Sequence, residues 1–91
     1  MYMAKVVGSI VSTQKDDALV GKKLMIVQPI NSDQKNVRHE EVAIDTVGAG
    51  IGEYVLIARG AGARIADIGN QPEKKSVSDC SIIGIIDRFD N

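Results

Sequence analysis

Apolar and β-branched residues recur along this chain in short runs, and polar or glycine-rich stretches separate them. Runs of this kind, bounded by glycine, proline, asparagine and aspartate, are typical of β-strands. Ile65 and Ile68, three positions apart and followed by Gly69, predict one short helix over residues 63–69. Gly8 indicates a bulge or bend in the first strand. The pattern predicts five strands, at residues 4–13, 22–30, 38–47, 53–59 and 80–87.

Five short strands with one small helix predict an all-β fold, as a small barrel or a sandwich. A parallel β-α-β arrangement would need a long helix in each connection. Three glycines at alternate positions, Gly48, Gly50 and Gly52, separate the third and fourth strands. Such spacing indicates a backbone in which a Cβ would obstruct a conformation or a close approach. Replacing Gly50 with valine is therefore expected to weaken folding or assembly by about 1 to 3 kcal/mol.

The glycines do not form a nucleotide-binding fingerprint. That motif needs the spacing G-x-G-x-x-G and a following helix. Here the spacing is G-x-G-x-G, and Glu53 and a strand follow. The carboxylate of Glu53 would also repel a pyrophosphate. The stretch is therefore interpreted as a tight connection between strands.

Length and charge limit the classes of function. A chain of 91 residues predicts one domain, over residues 1–91, with a small core. Eleven basic and twelve acidic residues give a net charge of -1, so neither nucleic acid nor an anionic membrane is expected as a partner. Residues 1–6 show no secretion signal, and no apolar run approaches the roughly 20 residues that span a bilayer. A soluble protein of a reducing cytoplasm is expected.

Residues for catalysis or metal binding are scarce. His39 is the only histidine and is interpreted as an exposed side chain. Cys80, the only cysteine, follows Asp79, whose charge would raise the pKa of the thiol, and it is interpreted as a small buried filler. No cofactor, metal site or catalytic residue is predicted. An enzyme is not expected.

Two of the predicted strands, the fourth and the fifth, are apolar on both faces. Their sequences include YVLIA and IIGII, and strands of this kind are covered on both sides in known folds. A second copy of the chain is the expected cover. Burying about six extra apolar side chains at roughly 1.5 to 3 kcal/mol each gives about 10 kcal/mol, against an association cost of about 4 to 15 kcal/mol. Homo-oligomerisation is therefore predicted.

Three segments, in order, carry the motifs of a known family. They are VGSIVSTQK through LVGKKLMIV at 7–27, DTVGAGIGEYV at 45–55 and DCSIIGIID at 79–87. Together they resemble the EutN/CcmL family of bacterial microcompartment vertex proteins. The chain departs from the common family pattern at two places: GAGAR stands at 60–64 where many members have GSSAR, and Cys80 replaces a common alanine.

The resemblance implies an OB-like five-stranded barrel that assembles as a homopentamer. Such pentamers would close the vertices of a polyhedral shell in the bacterial cytoplasm, among hexameric shell proteins. This structural role agrees with the scarcity of catalytic residues. We predict that the functional surface, as a packing and inter-subunit element, is the glycine-rich stretch, with the residues Gly48, Ala49, Gly50, Gly52 and Glu53.

Two other functions remain open at this point. One is a stand-alone OB-type module that binds an oligonucleotide or oligosaccharide on a barrel face. The charge balance and the small number of aromatic residues, Tyr2, Tyr54 and Phe89, argue against it, because stacking platforms need more. The other is a small enzyme subunit whose site a partner completes.

Overall fold

The computed structural model of the chain describes residues 1–11, 21–60 and 79–90. The predicted helix at 63–69 lies outside the described residues. Within them, all five predicted strands are confirmed, with bounds that differ by a few residues at most ends. They are β1 (Tyr2–Ile10), β2 (Leu24–Ile30), β3 (Glu41–Asp45), β4 (Tyr54–Arg59) and β5 (Cys80–Ile86).

The strands form a closed barrel in the order β1-β2-β3-β5-β4, with β4 pairing back onto β1. Four of the pairings are antiparallel, and β3 with β5 is parallel. Between the parallel strands β3 and β5 the chain passes through β4. The all-β barrel expected from the sequence is confirmed. The glycine-rich stretch is not a hairpin, since β5 separates the two strands that it connects.

Alternation along each strand fills the inside of the barrel. Neighbouring positions on β1, β2 and β4 alternate between fully buried and more exposed side chains, as expected for strands with one face inside. The thiol of Cys80 lies among these buried groups, which confirms the interpretation of this residue as a buried filler. The core cluster consists of Ala4, Val6, Met25, Val27, Ala43, Ala49, Val55, Ile57, Cys80 and Ile82.

Two register shifts bend the wall. One lies between Val6 and Gly8 on β1, where the sequence predicted a bulge, and the other lies between Leu56 and Ile57 on β4. An unpaired extra residue increases local twist and bend, which helps a small sheet to close on itself. The bulge beside Gly8, in which Val7 is the extra residue, is therefore a feature of barrel closure.

The third strand is shorter than predicted. Residues 38–40 form an exposed segment, and β3 begins only at Glu41. Residues 38–40 are exposed, whereas Glu41 is half-buried. Glu41 pairs with Val27, which is fully buried, so its side chain lies on the inner side of the wall.

Candidate functional site

The connection between β3 and β4, residues 46–53, is named the signature loop. Asp45 anchors its beginning, because its Oδ1 accepts hydrogen bonds from the backbone N–H groups of Val47 at 2.9 Å and Gly48 at 3.0 Å. The other oxygen, Oδ2, lies 3.6 Å from Nζ of Lys23, and this Nζ also donates to the carbonyl of Ala49 at 3.3 Å. Lys23, the residue directly before β2, thus contacts both the carboxylate of Asp45 and the signature loop.

Glu53 holds the second half of the signature loop. Its Oε1 accepts the backbone N–H of Gly50 at 2.6 Å, and its own N–H donates to the carbonyl of Gly50 at 3.2 Å. The loop is then joined to β1, since Gly52 N–H donates to the Val6 carbonyl at 2.7 Å and Val6 N–H donates to the Glu53 carbonyl at 2.9 Å. The carboxylate of Glu53 therefore stabilises the conformation of the signature loop.

Two of the three glycines have a backbone that disfavours other residues. Gly48 has φ of 78° and Gly52 has φ of 94°, both in the left-handed region. Gly50 has no such φ, and a Cβ added there would meet only Oε1 of Glu53, at 3.3 Å. The expectation from sequence assigned the steric demand to Gly50, whereas the conformational demand lies at Gly48 and Gly52.

The signature loop points one apolar residue inward and another outward. Ala49 is fully buried and belongs to the core cluster, so the loop is pinned to the barrel. Ile51 is 66% exposed between its two flanking glycines, and Val47 is 38% exposed. The structure thus brings all five predicted site residues onto one braced loop. It adds Ile51, which the sequence marks only as the apolar residue between Gly50 and Gly52.

A second polar cluster lies at the other end of the barrel interior. Glu41 and Asp45 lie at the two ends of β3 and share its inner face with Ala43 between them. The hydroxyl of Tyr2 donates to Oε2 of Glu41, and the other carboxylate oxygen lies 3.2 Å from Nε of Arg38 and 3.1 Å from Nη1 of Arg59. Each inward carboxylate therefore lies beside at least one cation and accepts hydrogen bonds, although Oδ2 of Asp45 accepts none from the residues that the structure describes.

The surroundings shift the pKa values in this cluster. Burial by itself would raise the pKa of Glu41, but hydrogen bonds from Tyr2 and Arg38 and the charge of Arg59 hold it below its ordinary value. Burial is the main cause of a raised pKa for Tyr2, and its hydrogen bonds to Cys80 and Glu41 raise this pKa further. Burial also raises the pKa of the Cys80 thiol. A neutral phenol and a neutral thiol around a carboxylate suit a structural contact and not a nucleophile.

The described residues offer little for other chemistry. They contain no group of three or more histidine, cysteine, aspartate or glutamate side chains placed to hold a metal ion. His39 is exposed, as the sequence predicted. Nor does any helix among the described residues have the length and apolar character needed to cross a membrane.

Comparison with known proteins gives consistent matches over nearly the whole chain. The EutN/CcmL family model, described as ethanolamine utilisation protein EutN/carboxysome, matches residues 1–87. The bacterial microcompartment shell vertex protein PduN of Salmonella typhimurium is 40% identical over 91 residues, covering 96% of this chain and 96% of the relative. The carboxysome shell vertex protein CcmL of Nostoc sp. is 46% identical over 88 residues, covering 96% and 83%.

A solved structure agrees with the sequence matches. The GrpN pentameric microcompartment shell protein from Rhodospirillum rubrum superposes with a TM-score of 0.86 at 36% identity, covering 100% of this chain and 99% of that one. These relatives are named as shell vertex or pentameric shell proteins, which supports the structural role predicted from the motifs and not the alternative of a binding module. The chain belongs to the EutN/CcmL family.

Proposed function

We propose that this chain is a structural shell protein whose homopentamers form the vertices of a bacterial microcompartment shell in the cytoplasm. The observation that carries the proposal is the superposition of its barrel, over the full chain, on a pentameric shell protein. A flat layer of hexamers cannot close without fivefold points, so the neighbours of the pentamer would be hexameric shell proteins. The role is geometric and requires no catalytic group or cofactor.

We also propose that the signature loop is a packing and inter-subunit element of the pentamer, through Gly48, Ala49, Gly50, Gly52 and Glu53. Three features support this role. The loop is braced at both ends by hydrogen bonds, it is pinned by a buried alanine, and it presents Ile51 with 66% of its surface exposed. An exposed large apolar side chain on a rigid loop needs little further ordering on contact with a neighbour.

The oligomeric state tests the first proposal. Native mass spectrometry and light scattering on the purified chain should give a pentamer. A stable monomer at high concentration, or a hexamer, would contradict it. A second measurement addresses the shell itself: co-expression with hexameric shell proteins should give closed polyhedra with this chain and open sheets or tubes without it.

A substitution in the signature loop tests the second proposal. Ile51→Asp should leave the barrel folded and weaken the pentamer, because an unpaired carboxylate would be buried on assembly. Val37→Asp is the matched control, since Val37 is exposed but lies in the segment between β2 and β3, away from the loop. If the two variants form equally stable pentamers, the signature loop is not part of the interface between subunits.

A further inference from the structure

An apolar row crosses the outside of the barrel over β1, β2 and β3. Gly8 pairs with Ile26, and Ile26 pairs with Val42, so the three residues lie side by side on adjacent strands. Met25 and Val27, on either side of Ile26, are buried in the core, and therefore Ile26 and its partners face outward. Val42 is 49% exposed. Gly8, Ile26 and Val42 are named the β2 row.

A second apolar row crosses the outside over β1, β4 and β5. Met3 pairs with Leu56, and Leu56 pairs with Gly84. Val55 and Ile57, on either side of Leu56, are fully buried in the core, so this row also faces outward. Its members are half-buried in the single chain. Met3, Leu56 and Gly84 are named the β4 row.

Each row contains a glycine beneath an aliphatic side chain of the next strand. A Cβ added to Gly8 would lie 3.4 Å from Cδ1 of Ile26, and one added to Gly84 would lie 3.6 Å from Cδ1 of Leu56. At these distances an added Cβ would make ordinary van der Waals contacts, so the two glycines leave each row shallow without being required by a clash. The members of both rows are glycine or aliphatic residues, and none is charged.

The two rows share only β1, where Met3 and Gly8 lie five positions apart, and otherwise occupy different strands. In the closed order β1-β2-β3-β5-β4, the rows are centred on β2 and on β4, which are not neighbours. β1 separates these strands in one direction, and β3 and β5 separate them in the other. A ring of identical subunits is built from head-to-tail contacts, which require two different surfaces on each subunit, whereas a twofold dimer uses one surface twice. Two separate apolar rows match the requirement of the ring.

We infer that the β2 row of one copy packs against the β4 row of the next copy around the ring. This inference rests on the proposed pentamer and adds to it the faces that meet. The occupant of each row is a second copy of this chain, because the other row of the same chain supplies an uncharged apolar surface of the same kind. Depletion of charged side chains is also what distinguishes the core of an interface from the remaining surface.

Single substitutions in each row test the inference. Val42→Glu and Leu56→Glu should each raise the chain concentration at which half of the pentamer dissociates by about 100-fold or more. Val37→Glu is the matched control, because Val37 is 48% exposed, against 49% for Val42, yet lies in neither row. It should leave the concentration unchanged. Thermal unfolding should show that all three variants keep a folded barrel.

Mixing the two variants tests the head-to-tail arrangement. Val42→Glu chains keep an intact β4 row, and Leu56→Glu chains keep an intact β2 row. One intact contact can therefore form between them, while the two remaining rows are blocked. Native mass spectrometry of the mixture should show a one-to-one dimer of the two variants, distinguishable by mass, and neither variant alone should form a dimer.

The outcomes separate this inference from the proposed function. If the unmodified chain is not a pentamer, the proposed function is refuted, and the contact of the two rows, which rests on it, is refuted as well. If it is a pentamer and either glutamate variant retains full pentamer stability, the contact of the two rows is refuted and the proposed function stands. A dimer of one variant alone would show that a row meets itself, which also refutes it. If a glutamate variant does not fold, Val42→Thr and Leu56→Thr replace the pair, with a smaller weakening expected from each and none from Val37→Thr.

Discussion

Alanine substitution at the three glycines of the signature loop should separate backbone conformation from steric space. Gly48 and Gly52 have positive φ values of 78° and 94°, whereas Gly50 does not. Within one subunit, no heavy atom of the described residues lies within 4 Å of a Cβ built on Gly48 or on Gly52, so a loss of subunit stability there would come from the backbone alone. At Gly50 the backbone conformation is open to other residues, and a loss of stability would come from steric contact. In the described part of the chain, the only atom close to an added Cβ is Oε1 of Glu53, at 3.3 Å.

The expected magnitudes follow from these differences. A residue other than glycine in the left-handed region costs about 1 to 2 kcal/mol. Neither Gly48 nor Gly52 can adopt another φ without losing a hydrogen bond. The N–H of Gly48 donates to Asp45 Oδ1 at 3.0 Å, and the N–H of Gly52 donates to the Val6 carbonyl at 2.7 Å. We expect a loss of about 1 to 2 kcal/mol for Gly48→Ala and Gly52→Ala. At Gly50, reduced entropy of the unfolded chain, about 0.4 to 1 kcal/mol, offsets the contact with the end of a flexible side chain.

Urea unfolding at one fixed chain concentration measures the three variants. Gly50→Ala should lie within about 0.5 kcal/mol of the unmodified chain. In thermal unfolding, a loss of 1 kcal/mol should lower the midpoint by about 4 to 8 °C for a domain of this size. If Gly50→Ala is destabilised as much as Gly52→Ala, positive φ is not the reason for the glycines, and the reasoning is refuted.

Two further substitutions test side-chain contacts between segments that are distant in sequence. Glu41→Gln should reduce stability at neutral pH by about 1 kcal/mol, because an amide replaces a charge paired with two arginines. The folded-state pKa of Glu41 is below its ordinary value, so its contribution is present above the unfolded pKa and is lost as the pH falls through the folded pKa. Urea unfolding of both chains should therefore show a difference that shrinks in acid, and a constant difference would contradict this. Thr46→Val removes the hydrogen bond from Oγ1 to the carbonyl of Ile82 at 2.6 Å. The free energy of unfolding should fall by about 1 kcal/mol, which a lower midpoint of thermal unfolding would show. Thr46→Ser is the control, because it keeps the hydroxyl.

Local sequence was sufficient to place the strands because alternation has a short range. The buried Val55 and Ile57 of β4, for instance, are recognisable within a run of six residues. The motif DTVGAGIGEYV was also sufficient to locate the signature loop. It did not indicate which glycine is conformationally required, since φ depends on the direction in which the chain must leave β3. That direction is set by β5, which inserts between β3 and β4.

The charged ends of the barrel interior show the limit of the same approach. A glutamate at a strand start normally indicates a solvent-facing residue, yet Glu41 lies on the inner side of the wall. Its partner Tyr2 is 39 residues away in sequence, and no local pattern relates the two. Asp45 is likewise compensated by Lys23, which directly precedes β2, and by the N–H groups of Val47 and Gly48.

The sequence by itself determined the strand content, the family and the position of the braced loop, because those depend on contiguous residues. Only the tertiary structure decided the strand order, the pairing of buried charges and the two exterior rows. Each of these depends on the register between strands distant in sequence, and a shift by one residue would exchange the inner and outer faces. Gly8, Ile26 and Val42 become neighbours only when that register is set.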